Sequence, residues 1–241
     1  MTKAELKSSL RAPRLAAAAV VVVVAVAAAL LVLGRIAHFD DEPPPPAVAP
    51  EKPSLADTSP DELRAALMTQ GDVPKYLKIE SQNKSPIAAQ SVKPADCSLR
   101  LLEEHDKPVV AAHAYAEDFN GMFYDGRYAT ELLMRPKEGD KDLVDFARDW
   151  LAKCGTFTVT MSGSSEQYSA YAVPLPAPVP DDDGALGLKA TYAFAKSDPF
   201  RNEVFYYAIV RVRGIDVLVF SGLPGVSEDL ARKAAAKLAD L

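Results

Sequence analysis

The two parts of this chain follow different hydrophobic rules. From Leu15 to Leu33 every residue is Ala, Val or Leu, nineteen in a row with no polar side-chain atom. As a helix such a run covers roughly 28 Å at 1.5 Å per residue, close to the ~30 Å hydrocarbon core of a bilayer. Gly34, Ile36 and Ala37 extend it, with Arg35 reaching back to the interface. Residues 15–37 are therefore predicted to form one transmembrane helix. The many valines are no objection, because a single segment in lipid must satisfy its own backbone hydrogen bonds and only a helix does so.

Beyond the span the apolar residues recur at short periods. Ser59-Pro60-Asp61-Glu62 is a capping box with proline at the first helical position, and it predicts a short helix carrying Leu63, Ala66 and Leu67. A second short helix is read over Pro94–Glu104. A third, from about Lys141 to Cys154, places Leu143, Phe146, Ala147, Trp150, Leu151 and Cys154 on one face. The fourth runs from Ser227 to about Ala239, with Leu230, Ala231, Ala234 and Leu238 inward.

Strands fill the intervals. Val109–Glu117 and Tyr128–Arg135 pair around the Asn120-Gly121 and Asp125-Gly126 turn signals. Thr156–Met161 and Tyr168–Val173 pair across Ser162-Gly163-Ser164-Ser165. The strongest signal is the run Leu186–Ala195, Val204–Arg213 and Ile215–Ser221, with Gly214 at the tight turn between the last two. Leu186, Leu188, Ala190, Tyr192 and Phe194 alternate on one face, and Val204–Val210 is apolar on both, as in a central strand. The fold class predicted is α+β: an antiparallel sheet of six to seven strands with packed helices, preceded by one transmembrane helix.

Charge orients this arrangement. Lys3, Lys7, Arg11 and Arg14 precede the span against Glu5 alone, so residues 1–14 form a cytoplasmic tail and the C-terminal part lies outside. A cleaved signal peptide is the rival reading. Its apolar region is shorter and ends in a small-x-small site, whereas here Arg35 falls where a small residue is needed. Residues 38–58, with Pro43–Pro46, Pro50 and Pro53, form a semi-rigid spacer of polyproline character. Residues 59–241 form the extracytoplasmic α+β domain, long enough to bury its own core. The chain has 27 basic and 33 acidic residues, of which 5 and 1 fall in residues 1–37, leaving the remainder at a net charge of −10. That acidity argues against nucleic acid as a partner.

Both cysteines, Cys97 and Cys154, lie in the outer part. In an exported domain a lone pair is most simply one disulfide; a metal site is the weaker reading, since no second ligand sits at metal spacing from either. The two surrounding segments, Pro94-Ala95-Asp96-Cys97 and Asp149-Trp150-Leu151-Ala152-Lys153-Cys154-Gly155, together with the anchor and spacer, resemble the extracytoplasmic sensor-like domains of actinobacteria: the PknH-type sensor domain and related envelope lipoproteins. The resemblance implies an α+β fold, a Cys97–Cys154 bond and a ligand-binding cleft, and it implies no catalytic residue. Two departures limit it. Fourteen residues precede the span, so no kinase output is expected on that side, and there is one cysteine pair where PknH-type domains have more than one disulfide.

A search for chemistry excludes more than it finds. No Gly-x-Ser-x-Gly elbow, phosphate loop or dinucleotide fingerprint is present. His38, His105 and His113 are not at metal spacing, and His113 reads as a half-buried strand residue. Asp181-Asp182-Asp183-Gly184 reads as a solvated loop rather than a calcium site, and Glu117-Asp118 with Asp125 as hairpin-tip charges. Tyrosines concentrate on the strands, and Tyr115, Tyr128, Tyr192 and Tyr206 are candidate cleft-lining residues, because tyrosine pairs an apolar ring with a polar tip. The expectation is a non-enzymatic, membrane-anchored binding or sensor-like module of a bacterial envelope, without a cofactor, that takes a small apolar ligand or an envelope protein. The alternative is a structural protein scaffolding a membrane or cell-wall complex.

Overall fold

The computed structural model describes residues 52–81, 90–117, 127–161, 167–179, 184–193 and 202–241. The expected tail, the expected anchor over 15–37 and the spacer up to residue 51 lie outside these. Among the described residues no helix is long and apolar enough to cross a membrane. Residues Lys52–Leu241 form one compact unit.

Its frame is a fully antiparallel sheet of nine strands in the order β1-β3-β4-β9-β8-β7-β6-β5-β2. The strands are β1 (Leu77–Glu80), β2 (Gln90–Lys93), β3 (Lys107–Ala116), β4 (Tyr128–Arg135), β5 (Thr156–Met161), β6 (Gln167–Leu175), β7 (Ala185–Ala193), β8 (Asn202–Val212) and β9 (Ile215–Ser221). All seven strands predicted from alternation are present. The count of six to seven is corrected to nine because β1 and β2, Leu77-Lys78-Ile79-Glu80 and Gln90-Ser91-Val92-Lys93, are four residues each and too short to show a period. They form the two edges, each pairing with a single neighbour.

Burial follows strand position. Every residue of β9 is buried, and in β4 only Arg135 is not fully so, as befits central strands covered on both faces. Towards the β2 edge the pattern returns to alternation: in β6, Ala170 and Ala172 are buried and Ser169, Tyr171 and Val173 exposed. The β8–β9 hairpin closes on Arg213 and Gly214 at φ of 50° and 88°. Two positive values in a two-residue loop match the right-handed twist of the strands.

Among the described residues four helices cover the sheet: α1 (Pro60–Arg64), α2 (Arg100–Glu104), α3 (Leu143–Lys153) and α4 (Val226–Asp240). The capping box forms as read: Glu62 N donates to Ser59 Oγ, and Ser59 N donates to Glu62 Oε2 at 2.9 Å. The helix read over Pro94–Glu104 is corrected to two pieces, a 3-10 turn at Ala95–Cys97 and α2, because Ser98 takes an extended ψ of 130° between them. On α4 all four residues read as inward are buried. On α3 the buried set is Leu143, Val144, Ala147, Trp150 and the following Cys154, with Phe146 and Leu151 at the margin. Residues 52–58, the end of the expected spacer, lie against the domain: Leu55 is buried and its N–H donates to the Arg213 carbonyl.

Cross-strand partners share a face, so the register sorts the core into two layers. The front face carries Phe157, Ala170, Tyr192, Phe205, Tyr207, Phe220, Thr130 and Tyr128, and α3 lies over its β6–β8 part. The back face carries Ala129, Glu131, Leu133, Val217, Val219, Ala208 and Val210, with α4 over β4, β9 and β8 and α1 against β3. Cys97 and Cys154 are bonded, with Cα atoms 5.3 Å apart, and so tie the turn before α2 to the end of α3.

The bond joins residues 57 apart in sequence, and closing such a loop stabilises the fold by about 4 kcal/mol in the chain-entropy model. Cys97→Ser with Cys154→Ser is expected to lower stability by that order, read as a drop in the urea midpoint that added reductant does not deepen further. An unchanged midpoint would show that helix packing alone fixes α2 and α3.

Candidate functional site

The front face gathers polar groups at one end of the sheet, where β3 and β7 finish and β4 and β8 begin. Tyr115 lies opposite Tyr128 across β3 and β4, and Tyr192 lies opposite Glu203 across β7 and β8. Two residues apart on a strand means one face, so Glu203, Phe205 and Tyr207 point the same way. Rings then run across the strands in two series. Trp150 meets Phe157 and Phe157 meets Tyr192 edge-on, each at 6.0 Å, and Tyr192 meets Phe205 at 5.0 Å. Tyr207 stacks on Phe220 at 5.5 Å, and Phe220 meets Tyr128 at 6.4 Å.

Two carboxyls sit against this aromatic layer. Glu103 on α2 accepts a hydrogen bond from Tyr207 Oη at 3.1 Å. Burial pushes its carboxyl up to about 7, against the Tyr207 hydrogen bond and the charge of Arg100. Glu203 is 5% exposed, and burial alone pushes it up to about 8. The phenols of Tyr128 and Tyr207 are raised well above their ordinary value by burial first and by the Glu103 charge next, and Tyr128 also feels Glu203. His113, buried on β3, shares a 3.2 Å hydrogen bond between Nδ1 and Thr130 Oγ1, and burial lowers it below its usual range.

Of the four tyrosines singled out from the sequence, Tyr115, Tyr128 and Tyr192 come together on this face, all buried. Tyr206 is on the opposite face, half-buried, with Lys189 Nζ 6.0 Å above its ring. Asp118, Asp125, Gly163, Ser164, Ser165 and Asp181–Asp183 lie outside the described residues. Among the described residues no group of three or more His, Cys, Asp or Glu side chains is placed to hold a metal ion.

Sequence reasoning missed the acidic members. Each stands inside an apolar strand run, which is the signal that could have found them: Glu203 at an inward position of β8, Glu131 within β4 and Asp216 within β9. Glu131 is on the back face, fully buried, and accepts a hydrogen bond from Met68 N at 2.7 Å. Burial pushes it up to about 8, against that hydrogen bond and the Lys237 charge. Asp216 accepts from Leu143 N, the first residue of α3, at 3.2 Å; burial pushes it up to about 6 although that bond and Arg211 pull the other way.

No family model and no curated protein sequence matches this chain. Among solved structures it is similar to the extracellular domain of PknH from Mycobacterium tuberculosis, with a TM-score of 0.51 at 13% identity over 76% of this chain and 97% of that one. It also aligns, with a TM-score of 0.39 and 13% identity, to an uncharacterized Mycobacterium smegmatis protein, the Rv0999 ortholog, over 75% of this chain and 97% of that one. The PknH extracellular domain has the fold that this chain adopts, as the sequence resemblance implied.

The raised carboxyls carry a consequence for stability. A carboxyl that titrates higher when folded binds its proton more tightly in the native state, so its contribution is complete below its ordinary value and is lost as pH rises through the folded one. Glu103, Glu131 and Glu203 place that loss between pH 4.5 and about 8. His113 acts with the opposite sign, but only below its ordinary value of 6.5. The urea midpoint is therefore expected to fall steadily from pH 6.5 to 8.5. Glu131→Gln should flatten that slope by up to about 1.4 kcal/mol per pH unit. A slope unchanged in the variant would show that Glu131 is ionised in the native state throughout.

Proposed function

We propose that this chain is a non-enzymatic, ligand-binding or sensor-like module of a bacterial envelope, held by an N-terminal membrane anchor with its α+β domain outside. The observation that carries the reading is the fold shared with the PknH extracellular domain over 97% of that domain. The Cys97–Cys154 disulfide supports it, since structural disulfides belong to oxidising compartments. So does the nineteen-residue apolar run from Leu15 to Leu33, with the basic excess before it.

The non-enzymatic part of the reading is supported by how a serine and a histidine among the described residues are used. Ser221 Oγ donates to the Tyr128 carbonyl at 2.6 Å and accepts from Leu223 N. His113 is taken up by Thr130. Neither arrangement activates a nucleophile, because the base must reach the hydroxyl that attacks.

A second reading, a scaffold in an envelope assembly, is favoured by the back of β6. There Tyr171 and Val173, side by side on one face, are 42% and 41% exposed. Contiguous exposed apolar patches mark contact surfaces, and these two side chains would lie within one.

Two measurements test the proposal. With intact spheroplasts, added protease should remove the α+β domain and leave an N-terminal tag protected; a protected domain with a digested tag would reverse the topology. Native mass spectrometry of the full chain extracted from its own membranes should then show an added mass that leaves on activation. A bare polypeptide mass, two hydrogens light for the disulfide, would turn the reading towards the scaffold.

A further inference from the structure

The back of the sheet is covered unevenly. Helix α4 lies over β4, β9 and β8, and α3 is on the front, so among the described residues no helix is packed over the back of β5, β6 and β7. The register builds this open area row by row. Thr156, Tyr171, Thr191 and Val204 stand side by side across β5, β6, β7 and β8. Val173, Lys189 and Tyr206 form the next row on one side. On the other side come Lys93, Thr158 and Ser169, from β2, β5 and β6. Tyr171, Val173, Thr156, Ser169 and Lys93 are exposed.

Charge and hydroxyl groups give this area its chemistry. Lys93 and Lys189 stand in these rows and no acidic residue does, although the chain beyond residue 37 is strongly acidic. Among the described residues no carboxylate pairs with either lysine, and Lys189 rests its ammonium 6.0 Å from the Tyr206 ring centroid instead. Hydroxyls line the area at Thr156, Thr158 and Ser169. At its centre Thr191 is 2% exposed and its Oγ1 has no hydrogen-bond partner among the described residues. A buried hydroxyl left unmet costs about 1–3 kcal/mol. The Tyr171 ring beside it is open enough to turn aside and uncover it.

We propose that this face binds a strand of anionic polysaccharide. A sugar ring is apolar across its C–H faces and polar around its rim. It lays a face on Tyr171 and Val173 while its hydroxyls meet those of Thr156, Thr158 and Ser169 and, once Tyr171 turns, Thr191. Its acidic groups reach Lys93 and Lys189. A protein partner fits these rows less well, because the core of a protein–protein interface is depleted in Ser and Lys. An anionic bilayer surface is held by clusters of about four to eight basic residues, against the two found here. The site is separate from the aromatic layer on the front. It rests on the reading above only for the compartment, since a wall polymer is met outside the membrane.

The test is a calorimetric titration of the full chain in detergent micelles. The probes are oligogalacturonate, oligomannuronate and hyaluronan oligosaccharides, each against its methyl ester, which keeps the rings and removes the charge. At least one acidic sugar should bind, about fivefold more tightly than its ester, and its affinity should fall as salt is raised. Tyr171→Ala should weaken acid and ester alike by about tenfold, the loss of one aromatic anchor. Lys93→Gln with Lys189→Gln should leave the ester unchanged and bring the acid down to it. The urea midpoint should stay at the wild-type value in both variants; should Tyr171→Ala shift it, the lysine pair still decides. Polyglutamate and phosphatidylglycerol vesicles are titrated alongside. Binding of either as tight as that of the best sugar, binding indifferent to both variants, or no binding by any sugar probe overturns the site. Such a failure leaves the spheroplast result, and with it the envelope reading, untouched. A reversed topology would instead sink that reading while the sugar titration stood.

Discussion

Everything in this domain is arranged around strands that have no free face. β9 has no residue open to solvent, and β4 and the Tyr207–Val210 stretch of β8 are nearly as enclosed. Apolar surface on both sides of a sheet can be removed from water only by two further layers. Helix α4 supplies one with Leu230, Ala231, Ala234 and Leu238, and α3 supplies the other with Leu143, Val144, Ala147 and Trp150. At ~25 cal/mol per Å² of apolar surface this burial is the main term holding the domain together. Neither helix is held by packing alone. Lys237 on α4 donates to Leu67 O at 2.9 Å and Asp72 Oδ2 at 2.8 Å, anchoring the segment after α1. Burial alone would raise Asp72, yet the Lys237 and Thr69 hydrogen bonds win and bring it down to about 2. The start of α3 is held by Asp216 from below, and its end by the disulfide.

How much of this could be read beforehand depended on how many residues carried each signal. The seven longer strands, the faces of α3 and α4 and the capping box at Ser59 all rest on repeated local choices that agree with one another. Leu186, Leu188, Ala190 and Tyr192 do share the front face, as their alternation required; Phe194 lies outside the described residues. β1 and β2 are set by pairing with β3 and β5, and four residues hold too little pattern to announce that. The break at Ser98 also depends on tertiary context, because it lets Cys97 meet Cys154 while Leu99 and Leu102 turn inward.

The candidate site was half legible. Tyrosines on strands pointed to the right region, and three of four meet there. What the residues could not announce was which strand lies beside which. Tyr206 and Tyr207 are adjacent in sequence, and only the register decides that Tyr207 joins Phe220 on the front while Tyr206 faces Lys189 on the back. Glu103 is a further step removed, since its role depends on where a five-residue helix is laid over the sheet.

The buried acids fall on both faces of the sheet and are supplied unequally. On the back, Glu131 has a backbone N–H as donor and feels Lys237 from the covering helix. Below α3, Asp216 has a helix N–H and the charge of Arg211. Each accepts at one oxygen from the element it helps to fasten and keeps the other oxygen buried without a hydrogen-bond partner, which is why burial still raises both. Glu203 fastens nothing among the described residues, and Glu103 is met only by a phenol. Replacing Glu203 by a leucine of similar volume would cost the fold little, whereas the same change at Glu103 would leave the buried Tyr207 hydroxyl without its acceptor.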